Sequence, residues 1–255
     1  MDLKLFDAHC HLYMPQFDTD RQEVLARMQE AQMGAVVIGV DLASSRAALE
    51  LTKQHSFLWA AVGLHPNDNP AEEFDMGAYE ALAREPRVVA IGECGLDYFR
   101  SGGTDEEKSA QKMRFEKHVE LAEKVQKPLI IHCRNAHEDM LAILENKKPT
   151  VPVIIHFFTG TGELAQMYLD LGCYLSFPGP VTYTDMYDDS MRVVPLDRML
   201  IETDSPYAAP VPNRGKRNEP VYVSGVAEKI AVLKGLEVEK VIAQTVINAS
   251  SVFNL

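Results

Sequence analysis

The chain lacks most of the marks that set whole protein classes apart. Its four cysteines, Cys10, Cys94, Cys133 and Cys173, form no CxxC pair, which excludes a disulfide framework. No apolar run approaches the ~20 residues that a membrane-spanning helix needs. The first twelve residues carry two histidines and two aspartates, unlike the apolar heart of a secretory signal. Positive charge is also scarce: 25 Lys and Arg against 37 Asp and Glu leave a net charge of −12. Such a field repels polyanions and excludes a broad basic surface for nucleic acid. There is no linker, low-complexity tract or internal repeat, and no GxSxG elbow or Walker A loop. The expectation is a reduced, soluble, cytoplasmic protein without a membrane segment.

What is present suits one sizeable core: 255 residues, 46% apolar and 24% charged, expected to form a single domain over 1–255. Strand-like runs fall at 3–8, 35–40, 58–64, 88–93, 128–132, 153–157, 174–177 and 200–203. Helical patterns lie between them at 20–33, 44–54, 76–84, 106–126, 136–146, 162–171 and, weakly, 185–193. Helices over 221–233 and 239–250 close the chain. In the longest helix Asp105 is the expected N-cap, with Met113, Val119, Ala122 and Val125 on the apolar face. Continuous apolar strands such as Leu129-Ile130-Ile131 must be buried on both faces, as in a parallel sheet covered by helices. Eight βα alternations with right-handed connections predict an α/β fold, a (β/α)8 TIM barrel, with an open doubly wound sheet as the alternative.

Barrel enzymes gather their chemistry at the C-terminal strand ends, and there the polar residues collect. His9 and His11 end strand 1, His65 follows strand 3 and Glu93 ends strand 4. His132 ends strand 5, His156 lies near the end of strand 6 and Asp204 follows strand 8. His55 and His118 fall in helical segments and read as surface residues. Residues i and i+2 of a strand share one face, so His9 and His11 can grip one ion. The alternative, core histidines capping strand ends, needs a separate partner for each buried imidazole. The nitrogen and oxygen ligand set is too large for one tetrahedral ion, whereas two metals sharing a bridging carboxylate, best supplied by Glu93, would use it all.

Alternation assigns the neighbours. Cys10, Cys94 and Cys133 adjoin proposed ligands and should point away, into the barrel–helix layer. Arg134 falls on the His132 face nearer the mouth, either holding a phosphate or carboxylate or making a surface salt bridge. Asp7 and Glu202 lie one step deeper than His9 and Asp204, either orienting ligands or forming a buried ion pair. Gly160-Thr161-Gly162-Glu163-Leu164-Ala165 fits a dinucleotide fingerprint once. A loop offering backbone N–H groups to a substrate phosphate is the better reading. Arg214-Gly215-Lys216-Arg217, after strand 8, reads either as a recruiter of an anionic group or as a solvated loop.

The motifs DAHCHL (7–12), VGLHP (62–66), IGECGLDY (91–98), IIHCRNA (130–136), HFFTG (156–160) and ETDSPYAAPVPNRGKRNEP (202–220) resemble, in order and over essentially the whole chain, the TatD family of metal-dependent hydrolases, related to the amidohydrolases. The resemblance implies a TIM barrel, a divalent-metal centre and hydrolase activity, described for several members as deoxyribonuclease. By position it implies metal ligands His9, His11, Glu93, His132, His156 and Asp204, with His65 as a substrate contact. Phe157 departs from the Cys common after the strand-6 histidine. Glu93 stands where many amidohydrolases carry a carboxylated lysine, which favours the TatD branch.

The expected function is a phosphodiesterase, a 3′-5′ exodeoxyribonuclease acting on DNA ends or short oligonucleotides. His9, His11, Glu93 and Asp204 would hold one ion, and Glu93, His132 and His156 the other. Asp204 would be the general base, and His65, Arg134, Arg214, Lys216 and Arg217 would orient the phosphate. Imidazole-rich ligation suits Zn, Mn, Co, Ni or Fe, with Mg possible as an activity-supporting ion. Two alternatives stand: a metal-dependent hydrolase of amide or ester bonds, such as a cyclic amide or aminoacyl ester, and a non-catalytic metal-binding partner protein.

Overall fold

A computed structural model describes residues 3–69, 72–100 and 103–255. Eight parallel strands run in sequence order around the sheet. They are β1 (Leu5–Cys10), β2 (Met33–Ile38), β3 (Leu58–Val62), β4 (Val88–Asp97), β5 (Leu129–Arg134), β6 (Val153–Ile155), β7 (Tyr174–Phe177) and β8 (Met199–Ile201). Seven helices lie between them: α1 (Arg21–Glu30), α2 (Leu42–Gln54), α3 (Met76–Ala83), α4 (Asp105–Val125), α5 (His137–Lys147), α6 (Gly162–Asp170) and α7 (Asp188–Val193). Two more follow β8, α8 (Val223–Lys234) and α9 (Val238–Phe253). The ring closes where Asp204 N donates to His9 O at 2.9 Å and His11 N donates to Ser205 O at 2.8 Å. The TIM barrel is therefore the fold. No helix among the described residues is long and apolar enough to cross a membrane.

Alternation along the strands divides the core in two. Phe6, Val36, Ile38, Ile130, Ile154 and Leu200 fill the barrel interior. Below them Phe6 packs on Trp59 and on Phe253 of α9, with centroids 5.9 and 6.1 Å apart. The outward residues of the same strands, such as Val37, Ile131 and Ile155, pack instead in the layer beneath the helices. Cys10, Cys94 and Cys133 lie in that outer layer as expected, and none is in a disulfide.

Pairing register shifts once where β3 meets β4, at Ala60 and Ala61, and alternation breaks at two further places. Register shifts fall between Asp7 and Cys10 in β1 and between Ile91 and Cys94 in β4. A bulge adds a residue to one strand and re-aims the next side chain, and here it turns His9 and Glu93 into the barrel. Near the second bulge Gly92 has φ +149°, and a Cβ there would lie 2.4 Å from Ile130 O. At Gly95, φ +136°, a Cβ would lie 2.1 Å from His132 O. The β4–β5 pair can approach this closely only because both positions lack a side chain.

Three details of the longest helix differ from expectation. Thr104, not Asp105, is the N-cap of α4, closing a capping box with Glu107. Met113 is 61% exposed, whereas Val119 and Ala122 are buried. His118, expected at the surface, is fully buried on the inner face beside Phe115 and Val119. It can be buried because both ring nitrogens are satisfied: Nε2 accepts from Leu64 N at 3.0 Å and Nδ1 donates to Arg114 O at 2.8 Å. His55, the other histidine read as a surface residue, is half-buried at the end of α2.

Burial pushes His118 down from 6.5 to about 3. Below pH 6.5 the unfolded chain takes up a proton that the folded chain refuses, so stability falls as pH falls through that window. Between pH 7 and 5 the wild type should lose about 2 kcal/mol more than His118→Gln, read by urea denaturation. Parallel pH profiles for the two proteins would show the assignment to be wrong.

Candidate metal centre

The inward-facing strand ends converge on a cavity of about 510 Å³ whose lining includes His11, His65, Glu93, His132, His156 and Asp204. Glu93 stands in the middle. Its Oε2 is 3.3 Å from His9 Nε2, while its Oε1 is 2.8 Å from His132 Nδ1 and 2.9 Å from His156 Nε2. Asp204 Oδ1 completes the first side, 3.3 Å from His11 Nε2 and 3.6 Å from His9 Nε2. Four groups among the described residues have ligand atoms within 4.8 Å of one another, and two of them, His9–His11–Glu93 and Glu93–His132–His156, meet at Glu93. Asp204 borders the former, and the two share one carboxylate.

The rings are held with a particular nitrogen inward. His11 Nδ1 donates to Ile38 O at 2.9 Å, which turns Nε2 toward Asp204. His156 Nδ1 is 3.0 Å from Glu202 Oε1, which turns Nε2 toward Glu93. His132 is reversed: Nε2 meets Asp97 Oδ2 at 3.1 Å, so Nδ1 faces Glu93. Such outer partners fix ring orientation and tautomer at metal sites. His9 is fully buried, yet neither ring nitrogen has a hydrogen-bond partner among the described residues. The 3.3 Å approach of Nε2 to Glu93 lacks hydrogen-bond alignment. An orphaned imidazole nitrogen aimed between two carboxylates is costly by itself and is what a cation would satisfy. Nitrogen and carboxylate donors in this number fit a pair of divalent ions.

His65 is placed differently. Its Nδ1 accepts from Asn67 N and Asp68 N at 3.1 and 3.2 Å, so the proton of the neutral ring sits on Nε2, 3.6 Å from Glu93 Oε1. Burial pushes its pKa down to about 3. It is a neutral donor aimed into the site.

Charge is balanced locally. Burial works to raise the Glu93 pKa, but the imidazoles of His156, His65 and His132 hold it well below the ordinary carboxylate value. Burial works against a charged His156, yet Glu93 and Glu202 raise its pKa well above normal. Asp204 is held low against its own desolvation by the hydrogen bond from His11 and the charge of His9.

All six expected metal ligands therefore meet, with His65 beside them and Glu202 orienting His156. Asp7 does not touch a ligand side chain. It accepts from His9 N, Thr203 N and the Thr203 hydroxyl, because the bulge puts it out of phase with His9. Arg134 lines the cavity mouth, and no carboxylate is within ion-pair distance of it among the described residues. The 214–217 loop does not line the cavity. Arg217 is spent on Asp20, at 2.5 and 2.7 Å, and on Glu219 at 2.9 Å. Arg214 stacks on Tyr183, and Lys216 is exposed away from the lining. The Gly160–Ala165 turn offers no phosphate cradle: Gly162 N donates to Asp189 Oδ2 and Leu164 N to Thr161 Oγ1.

Asp97 and Arg100 were missed. The signal was there for Asp97, whose even spacing from Glu93 puts it on the same face once β4 is continued past residue 93. Its other oxygen, Oδ1, accepts from Phe99 N and Arg100 N at 2.9 Å. These bonds and His132 hold its pKa near 2 against the rise that burial would cause. Arg100 joins the lining and pairs with Asp68 at 3.2 Å.

Residues 6–254 match the family model described as TatD related DNase. The chain is 41% identical to the uncharacterized metal-dependent hydrolase YabD of Bacillus subtilis, over 98% of this chain and 99% of that one. It is 35% identical to the 3′-5′ ssDNA/RNA exonuclease TatD of Salmonella typhimurium, over 98% and 99%. Among solved structures, the TatD homolog YJJV of Escherichia coli K12 superposes with a TM-score of 0.91 at 25% identity, covering both chains completely.

Asp97→Asn should separate orientation from ligation. The amide oxygen can still accept from Phe99 N and Arg100 N, but the amide nitrogen cannot accept from His132 Nε2. Affinity for a divalent ion should fall about 10- to 100-fold, with the melting temperature nearly unchanged in chelator. An unchanged binding isotherm would remove Asp97 from this role.

Proposed function

The chain belongs to the TatD-related DNase family, whose curated relatives are metal-dependent hydrolases, and we propose that it cleaves phosphodiester bonds at the ends of DNA or short oligonucleotides. The observation that carries this reading is the position of Glu93, one carboxylate with each oxygen turned to a different ligand group. His9, His11, Glu93 and Asp204 would hold one divalent ion, and Glu93, His132 and His156 a second; nitrogen-rich ligation favours Zn, Mn, Co, Ni or Fe over Mg. Such ions, when bound, acidify a water and neutralise charge on the phosphoryl group. The 3′-5′ polarity follows the name of the Salmonella relative. Four buried thiols without a disulfide suit the reducing cytoplasm.

The side chains divide the remaining work. Asp204, side chain 17% exposed and held ionised by His11 and His9, accepts the proton that the attacking water gives up. His65 donates its Nε2–H to a phosphoryl oxygen as negative charge grows there. Arg134 offers its cation to the same phosphate or its neighbour. A neutral amide or ester would bring no anion to Arg134, which is why phosphate is preferred here.

Chelation should abolish release of nucleotides from a short single-stranded oligonucleotide, and Mn2+ or Mg2+ should restore it. Glu93→Gln should lower kcat about 1,000-fold, the scale of losing a bridging ligand. Full activity of His132→Ala at saturating metal would refute the assignment. Panels of amides and esters, run beside the oligonucleotide, test the other bond classes.

Salt supplies a separate check. With a net charge of −12 and few cations at the mouth, the enzyme should contact only a few phosphates. The slope of log kcat/KM against log salt should then be about −1 to −3, not the roughly −10 of a protein with many such contacts.

A further inference from the structure

Just outside the lining of the cavity, against Arg134 at its mouth, one aromatic side chain stands in solvent with a cation on it. Phe99 is 59% exposed, and the Arg134 guanidinium lies over its ring, 3.9 Å from the centroid. The pair is tied to a metal ligand by a single carboxylate. Asp97 Oδ2 meets His132 Nε2 at 3.1 Å, while Oδ1 accepts from Phe99 N at 2.9 Å. From the other strand, Tyr98 N donates to Arg134 O at 3.0 Å, and Asp97 sits in register with Arg134. The backbones that carry ring, guanidinium and metal ligand are therefore held in a fixed relation to one another.

We propose that Phe99 and Arg134 form a nucleobase-stacking subsite for a nucleotide adjoining the cleaved phosphodiester. This rests on the phosphodiesterase reading above and narrows its substrate to strands whose terminal bases are unpaired. An exposed phenyl ring loses unfavourable contact with water when a base covers it. Every base has a π-face, so the subsite is indifferent to sequence. A guanidinium stacks on aromatic rings while its N–H edge stays available for phosphate oxygens. In a duplex both faces of a base are covered by its neighbours, and it reaches such a ring only by leaving the stack. With a net charge of −12, long-range attraction to a polyanion is weak. Stacking supplies affinity that charge does not.

The test uses the metal-loaded full chain, Phe99→Ala and Phe99→Trp. Two single strands are compared, one ending in 2-aminopurine and one ending in an abasic nucleotide. Stopped-flow emission before turnover should show quenching with the wild type and Phe99→Trp and none with Phe99→Ala. For the base-bearing strand, KM should rise about tenfold in Phe99→Ala with kcat little changed. On the abasic strand the wild type and Phe99→Ala should be alike. Equal quenching and equal KM for wild type and Phe99→Ala would overturn the subsite alone, as would the same loss on the abasic strand. Quenching that depends on Phe99 in a protein that hydrolyses neither strand would support the subsite and overturn the phosphodiesterase reading. A wild type that neither quenches nor hydrolyses would overturn both.

Discussion

A carboxylate taken out of water must be given its counter-charges by the protein. Glu93 is 4% exposed, and an isolated ionised carboxylate at such a depth would cost several kcal/mol. Imidazoles on β1 and β5, and two more just past β3 and β6, face it within 3.6 Å. Three of these have their own requirement in turn. His156 leans on Glu202, His132 on Asp97 and His65 on two backbone amides. The upper barrel is a set of nested charge compensations built outward from one side chain, and the apolar interior below it forms the floor on which they stand.

The strand positions make this legible from sequence to an unusual degree. A parallel barrel brings every strand's C-terminal end to one rim, so polar residues ending apolar runs must meet whatever their separation in the chain. That argument needs only strand identity, which the runs at β2, β4 and β5 carry in their composition. It located His9, His11, Glu93, His132, His156 and Asp204 together, and the family motifs pointed to the same residues.

Where the reading went astray, the cause was local. Strict alternation assigned Asp7 to the His9 face, but a bulge is a register event between two strands and leaves little trace in either strand alone. His118 read as surface because a polar residue on a helix ordinarily is, and only tertiary contact reveals the two backbone partners that let it be buried. The 214–217 cations were placed over the mouth by proximity to strand 8. Their partners, Asp20 and Tyr183, lie in other loops that sequence adjacency cannot see. Asp97 was lost through a strand drawn four residues too short. Local pattern, in short, sets phase within an element, and contacts between elements decide the rest.

The seam of the barrel carries a consequence for assembly. Asp7 and Thr203 are 196 residues apart, and His9 and Asp204 exchange a backbone hydrogen bond beside them. These bonds join the first strand to the last, so the ring can be completed only after almost the whole chain has been threaded into place. The donors His9, His11 and Asp204 straddle that junction. An ion held there would be a rivet through the final closure, and its departure would loosen first the one joint that no local segment of chain can hold shut.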